Sequence, residues 1–359
     1  MKRNQPAGPP LLATKSTIYV AKRRINQEAR QGLSPIVHLN KQLVSSEYTT
    51  RTMVDKEGTL KALFFAHSLY IELLSCYHTT LFLDCTYKTN KYNMPLLHIA
   101  GVNGNNKSFS TAFCFLAEET HTYYEWALET LNSVLTSHNI PPPEVMITEH
   151  KLALMNAISK IFPNTTNMLC TWHIEKNLIA NASKHIKEKD HGFKENPDVT
   201  RILISWSKIL WSHTVKEYNS ALKAFRSLVH PRFVSYVEKT WLPHASSFFD
   251  AWTKNIPHFE HRTSSRIESS HKYIKQHLLS SNANFPEVIK LITLALESQH
   301  HEISSQFHQQ KITTLKDISK IFSPCLGKIT SFALRRAQNN FGVLKHFVDA
   351  GRCNRCHTQ

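Results

Sequence analysis

Three carboxylates stand where the surrounding residues make chemistry possible. Asp84 follows the apolar run Leu81, Phe82, Leu83 and precedes a stretch rich in Thr, Tyr, Lys and Asn. Glu149 follows Val145, Met146, Ile147 and Thr148, and Glu268 lies in the first turn of an amphipathic segment that starts near Ser264. Short apolar runs of this kind read as buried strands. An ionised Asp at the end of one is costly to bury unless it is paired or bound to a cation. Asp84 therefore marks a salt bridge or a metal site at a strand edge. If its strand neighbours that of Glu149, the two carboxylates converge at one sheet end, where like charges need a cation or a shared proton. Oxygen donors suit Mg²⁺ or Mn²⁺. Two such ions can activate a water and stabilise the leaving oxygen in phosphodiester cleavage.

Each acid also has a purely structural reading. Asp84 has Lys88 and Lys91 nearby in sequence as ion-pair partners. Glu149 can be an N-terminal helix residue favoured by the helix dipole. Glu268 stands three residues after Ser265, the spacing of a capping box. Cys170 and His173 form a C-x-x-H pair at a strand-to-helix junction. That pair is either half a zinc site or a buried thiol beside a histidine bonded to the backbone or to a carboxylate. Cys353, Cys356 and His357 have the spacing of part of a zinc knuckle, but the chain stops two residues later and a four-ligand Zn²⁺ site is incomplete.

The elements that must position these residues follow from the patterning. Residues 81–84 read as a first strand, 94–102 as a second broken by Gly101, and 109–117 as a third. Asn103 and Gly104 between the last two are a hairpin signal, so the three form a meander. A helix over 123–135, stopped by Pro141, Pro142 and Pro143, leads to a fourth strand at 145–147. A helix over 152–162, a fifth strand at 167–172 and a helix over 173–186 complete the set. Three strands, then alternating helices and strands, predict a mixed α/β sheet with helices on both faces. Residues 36–78 carry mixed signals, with 58–67 leading into an apolar helix-like run at 69–77. Residues 190–260 lose the strand signal and hold Trp206, Trp211, Trp241 and Trp252, four of the six tryptophans, which reads as a helical insertion with an aromatic core. Ser264 to Leu279 is a strong helix, with Ile267, Ile274 and Leu278 inward and Glu268, His271, Lys272 and Lys275 on its polar face. A helix over 284–300 and a basic helical region over 313–350 follow. The expected division is a basic arm and lead-in (1–57), a core (58–189), the insertion (190–260), a third-acid helix with its successor (261–300) and a helical basic C-terminal region (301–359).

Composition narrows the partners. Lys and Arg number 43 against 27 Asp and Glu, a formal charge of +16 over 359 residues. Such an excess suits a polyanion, because Lys and Arg neutralise phosphates and release counterions. Seven cysteines, an odd number, fit a reducing compartment better than a disulfide framework. No apolar run reaches the roughly 18 residues of a bilayer span, so no membrane partner is expected. The first twelve residues lack the apolar centre of a signal peptide. Lys22, Arg23 and Arg24 on their own read as a solvated charge cluster first and as a nuclear-import signal second.

Four motifs in order carry a resemblance: DCTYKTN from Asp84 with MPLL from Met94, VMITEHKLALMNA from Val145, LCTWHIEKN from Leu169 after Phe162 and Pro163, and TSSRIESSH from Thr263. Together they resemble the Mutator-like (MULE) transposases over about residues 58–280. The resemblance implies an RNase H-like core with helical flanks, a DDE triad that binds two Mg²⁺ or Mn²⁺ ions, and a helical insertion before the third acid. Asp84 matches the first acid, Glu268 the third, and Cys170 and His173 the family's C-x-x-H. Where the family has Thr-Asp this chain has Thr148 and Glu149, so Glu149 would take the second place as catalytic and metal-binding residue. The implied activity is metal-dependent DNA cleavage and strand transfer on double-stranded DNA, at transposon ends and target, by a nuclear homo-oligomer. The alternative is a catalytically inactive, transposase-derived DNA-binding protein.

Overall fold

A computed structural model of the chain describes residue 20 and residues 35–45, 47–185, 197–278, 282–313, 315 and 317–342. Residues 1–34 apart from residue 20, with Lys22 to Arg24 among them, and the cysteines and histidine at 353–357 lie outside the described residues.

Seven strands form one mixed sheet in the order β1-β2-β5-β4-β3-β6-β7. They are β1 (Tyr48–Val54), β2 (Leu60–His67), β3 (Thr80–Thr86), β4 (Leu96–Val102), β5 (Ser108–Leu116), β6 (Val145–Thr148) and β7 (Thr166–Leu169). β3, β4 and β5 are the expected meander, paired antiparallel. Its turn is built on Asn103, whose Oδ1 accepts from Asn105 N and Lys107 N, each at 3.0 Å. β6 and β7 continue from β3 in parallel. Parallel neighbours need crossover connections. These are α3 (His121–Ser137) before β6 and α4 (Leu152–Ile161) before β7. α5 (Thr171–His185) leaves β7.

The sheet is wider than the patterning predicts. β1 and β2 form a hairpin, and β2 pairs with β5. Asp55 Oδ1 closes that hairpin by accepting from Glu57 N at 3.1 Å and Thr59 N at 2.7 Å, while Gly58 takes the positive φ of 78°. The boundary expected at 57/58 falls inside this turn. A second correction concerns Gly101, expected to break its strand. β4 runs through it because the Phe109 ring lies over the bare Cα, where a Cβ would meet a ring carbon at 2.5 Å.

α1 (Pro35–Ser45) buries Leu39 and Leu43, and α2 (Ser68–Cys76) buries Tyr70, Ile71 and Leu74. Both join a core with α3, α4 and most of the sheet. Described residues 197–278 contain helices and no strand. α6 (Pro197–Leu210), α7 (Val215–Leu228), α8 (Pro231–Thr240) and α9 (Asp250–Thr253) surround a separate cluster. Trp206 and Trp241 are buried in it and Trp252 packs at its edge, together with Leu169 of β7 and Ile174 and Leu178 of α5. Trp211 differs: it is 50% exposed, with the Arg262 guanidinium 5.1 Å from its ring.

α10 (Ser265–His277) returns the chain to the sheet, and α11 (Phe285–Ile312) follows. α11 runs past the expected end at residue 300. Its apolar stripe continues through Ile303 and Phe307, and Gln310 Nε2 donates to Asn105 Oδ1 at 2.8 Å. The helix expected over 313–350 is shorter in the described residues: a 3₁₀ segment (Lys320–Cys325) and a helix at 331–342.

Candidate active site

The site starts from strand pairing. Parallel register sets Thr80 beside Val145 and Leu83 beside Thr148. The next residues are Asp84 and Glu149, so both carboxylates leave neighbouring strands at the same end. Side chains alternate along a strand. Leu81, Leu83 and Cys85 go to the large core, and Phe82 joins a smaller cluster with Ile147, Cys170 and Ile267. Asp84 therefore shares the face that α10 covers through Ile267.

Contacts from Cys170, His173 and Asn106 set α10, and with it Glu268. Ser264 N donates to Cys170 Sγ at 3.0 Å, and Ser264 Oγ lies 3.2 Å from that sulfur and 3.1 Å from His173 Nδ1. His173 Nε2 stands 3.2 Å from Glu268 Oε1. A proton on Nε2 lets the ring donate to Glu268, while the Ser264 hydroxyl donates to Cys170 Sγ. Arg266 donates from Nη1 to Asn106 O at 2.9 Å and from Nη2 to Asn106 Oδ1 at 2.5 Å, tying the helix to the β4–β5 turn. Upstream, Thr171 N donates to Arg262 O at 2.9 Å, and Arg262 pairs with buried Asp250. Cys170 and His173 thus act on the first turn of α10. The capping box read from Ser265 and Glu268 is not made: Ser264 is the N-cap residue, and its hydroxyl serves Cys170 and His173 instead.

Asp84 is 7% exposed and accepts from Cys85 N at 2.9 Å. No ion pair joins it to Lys88 or Lys91 among the described residues. Burial first, then the nearby Glu149 and Glu268 carboxylates, push its carboxyl up to about 7. Burial raises Glu149 and Glu268 above the usual carboxylate range as well. Glu149 lies in the loop between β6 and α4 rather than in the helix. Its Oε1 is 3.0 Å from Lys151 Nζ. Lys151 also pairs with Glu119, which accepts from Tyr124 Oη at 2.7 Å and from Tyr87 Oη. As the side chains lie, no three of the described His, Cys, Asp or Glu residues are close enough together to hold a metal ion.

Sequence reasoning missed three members. Lys151, inside the motif that starts at Val145, was given no role there, and no motif marks Glu119. His271, expected on a polar face, is 8% exposed, and its Nδ1 is 3.8 Å from Asp84 Oδ2. Its spacing of three from Glu268 was the available signal. Burial, with Lys275 nearby, holds its ring down to about 4. Thr86, Glu268, His271, Lys272, Lys275 and Gln276 line an open cleft of about 460 Å³ here.

Comparison with known proteins fits this arrangement. A PKS-NRPS hybrid synthetase, cheA, of Chaetomium globosum is 24% identical over 275 residues, 72% of this chain but 6% of that protein. Protein FAR1-RELATED SEQUENCE 5 of Arabidopsis thaliana is 30% identical over 97 residues, 27% of this chain and 12% of the relative. Protein FAR1-RELATED SEQUENCE 11 of the same plant is 21% identical over 323 residues, 85% of this chain and 44% of the relative. The chain thus spans less than half the length of each. Residues 80–177, which hold Asp84, Glu149, Cys170 and His173, match the model of the MULE transposase domain, so that stretch of the chain is similar to the domain.

Proposed function

We propose that the chain is the catalytic core of a MULE-type transposase, in which Asp84, Glu149 and Glu268 hold Mg²⁺ or Mn²⁺ for DNA cleavage and strand transfer. One observation carries this: β3 and β6 set Asp84 beside Glu149, and α10 brings Glu268 close enough to raise the same buried carboxyl. The order β5-β4-β3-β6-β7, antiparallel and then parallel about β3, supports an RNase H-like reading of the sheet. The donor set fits a hard divalent cation, since all three acids give oxygen and a cation among them offsets a desolvated, mutually repelling group. When bound, such ions would activate water and stabilise the leaving oxygen. The chain's own residues do the rest. Cys85 N–H orients the Asp84 carboxylate, and His173 orients that of Glu268. Exposed Lys272 and Lys275 stand along the cleft to meet backbone phosphates. Double-stranded DNA, at transposon ends and target, is the partner, met by a homo-oligomer in the nucleus.

A second reading has its own support. Lys151 already pairs with both Glu149 and Glu119, so the site can persist without a metal in a DNA-binding protein that no longer cuts. Nicking of supercoiled plasmid with Mg²⁺ and with Mn²⁺ separates the two. Wild type should nick, and Asp84→Asn should fall to background. A silent wild type that binds DNA and gains cleavage with Glu149→Asp would favour the second reading. Nicking that survives unchanged in Asp84→Asn would remove support for the first.

A further inference from the structure

The loop from β3 to β4 leaves the sheet at the end where Asp84 stands. Thr86, the last residue of β3, lines the cleft, and Tyr87 follows it. Residues 87–93 read Tyr, Lys, Thr, Asn, Lys, Tyr and Asn, with two cations and no acid. A buried brace shapes them. Asn90 Oδ1 accepts from Tyr92 N at 3.0 Å and from Met94 N at 3.2 Å, and its Nδ2 donates to Met94 O at 2.7 Å. Lys91 N donates to Ala283 O at 3.0 Å, which pins the loop to the chain entering α11. Thr89 and Asn90 are buried, while Tyr87, Lys88, Lys91 and Tyr92 are exposed. Lys88 sits at φ 59°, a left-handed conformation that is costly for a residue with a Cβ and persists only where its surroundings enforce it. Both tyrosine rings are fixed and half open. Tyr87 is 48% exposed, yet its hydroxyl donates to Glu119 and accepts from Lys151 Nζ at 3.1 Å. Tyr92 is 49% exposed, and the Phe285 ring backs it with centroids 4.5 Å apart and planes 27° from parallel. Lys91 Nζ stands 5.0 Å from the Tyr92 centroid. A ring held in this way has little rotamer freedom left to lose, so a planar partner stacks on it at small further entropic cost.

We infer that the β3–β4 loop holds an unpaired DNA strand at the rim of the cleft, with Tyr87 and Tyr92 stacking on bases and Lys88 and Lys91 meeting phosphates. The inference rests on the DNA reading of the cleft and adds that the strand is unpaired beside it. Lysines alone would serve a duplex, whose bases already stack on one another. Exposed rings interleaved with cations fit bases that do not, and this is how single-stranded nucleic acid is held. Every base has a π-face, so such a loop grips without choosing sequence.

Fluorescence anisotropy of the full chain with labelled oligo(dT), and with a fully paired duplex of the same length, tests the idea. Tyr87→Ala and Tyr92→Ala should each weaken binding to the single strand about 5- to 100-fold, the scale of one lost base–aromatic stack, and change the duplex far less. Tyr92→Phe keeps the ring and should restore the grip that Tyr92→Ala loses. Lys88→Ala should lower the salt slope on the single strand by about 0.7. Equal losses on strand and duplex would mean that the rings only support the fold, and would overturn the inference. A wild type that binds the duplex and ignores oligo(dT) overturns it too, while leaving the DNA reading in place. Binding to neither probe overturns both. If the alanine variants fail to fold, the wild-type chain still decides. Oligo(dT) carrying iododeoxyuridine should photo-crosslink within residues 87–93, and crosslinks that map only elsewhere overturn the inference.

Discussion

Asp84 makes folding depend on pH in a direction opposite to that of most carboxylates. Its folded pKa of about 7 lies above the unfolded value, so between the two the folded chain binds the extra proton. Stability from this group is complete below about pH 4 and is lost as pH rises towards 7, a swing on the order of 4 kcal/mol. In the absence of divalent ions, Asp84→Asn should therefore be more stable than wild type at pH 7.5, with the gap closing towards pH 4.5. Urea midpoints across that range measure it, and a gap that stays constant would contradict the argument. His173 gives a second residue-scale expectation. His173→Ala leaves Ser264 Oγ and Glu268 each short of a partner and should cost about 1–3 kcal/mol. Nicking should fall further than the melting temperature suggests, because Glu268 loses its orientation. The sequence shows Asp84 and Glu149 plainly, since each follows a short apolar run that reads as a buried strand. It hides His271, because a histidine between Glu268 and Lys272 on a helix reads as solvated until β3 and β4 are seen against it.

At the level of elements, strand length and neighbour were legible wherever turns announced them. Asn103 with Gly104 and the three prolines at 141–143 bracket their strands, and the structure agrees there. β2 was obscured because Leu60–His67 runs without a break into the apolar Leu69–Tyr77, and periodicity alone does not part a buried strand from a buried helix. The end of α11 was obscured because its last turns are rich in Gln, His and Ser and keep only Ile303 and Phe307 as an apolar stripe. The Gly101–Phe109 contact gives an element-scale test. Gly101→Ala drives a Cβ into the ring at a position paired with Leu81 on β3. It should destabilise the chain by about 1–3 kcal/mol, as overpacking does. Phe109→Leu in the same chain should recover part of that loss in a thermal melt; a neutral Gly101→Ala would show that the ring moves aside.

Over the whole molecule, the +16 charge predicts binding that salt weakens. A fluorescence-anisotropy titration on duplex DNA should give a steep log–log slope. Replacing Lys272 and Lys275 by Ala should lower that slope by about 2 if each meets a phosphate. An unchanged slope would place the DNA elsewhere. These lysines are visible in sequence, but their relation to the acids is not, because Glu268 reaches Asp84 only after the chain has passed through the helices between α5 and α10.

That detour has a kinetic meaning. Ser264 and Cys170 touch across 94 residues of chain, and the α6–α9 cluster between them has its own apolar interior seated on α5. Loop closure over so long a segment is an entropic barrier that contacts repay only once made. If the cluster condenses first, the effective loop is far shorter, and α10 is delivered to the sheet as the last step of folding. Substitutions such as Trp206→Ala, in the α6–α9 cluster and outside the three-acid site, would then slow the moment at which Asp84, Glu149 and Glu268 meet. A nascent chain would stay without its three-acid cluster until Glu268 had been made.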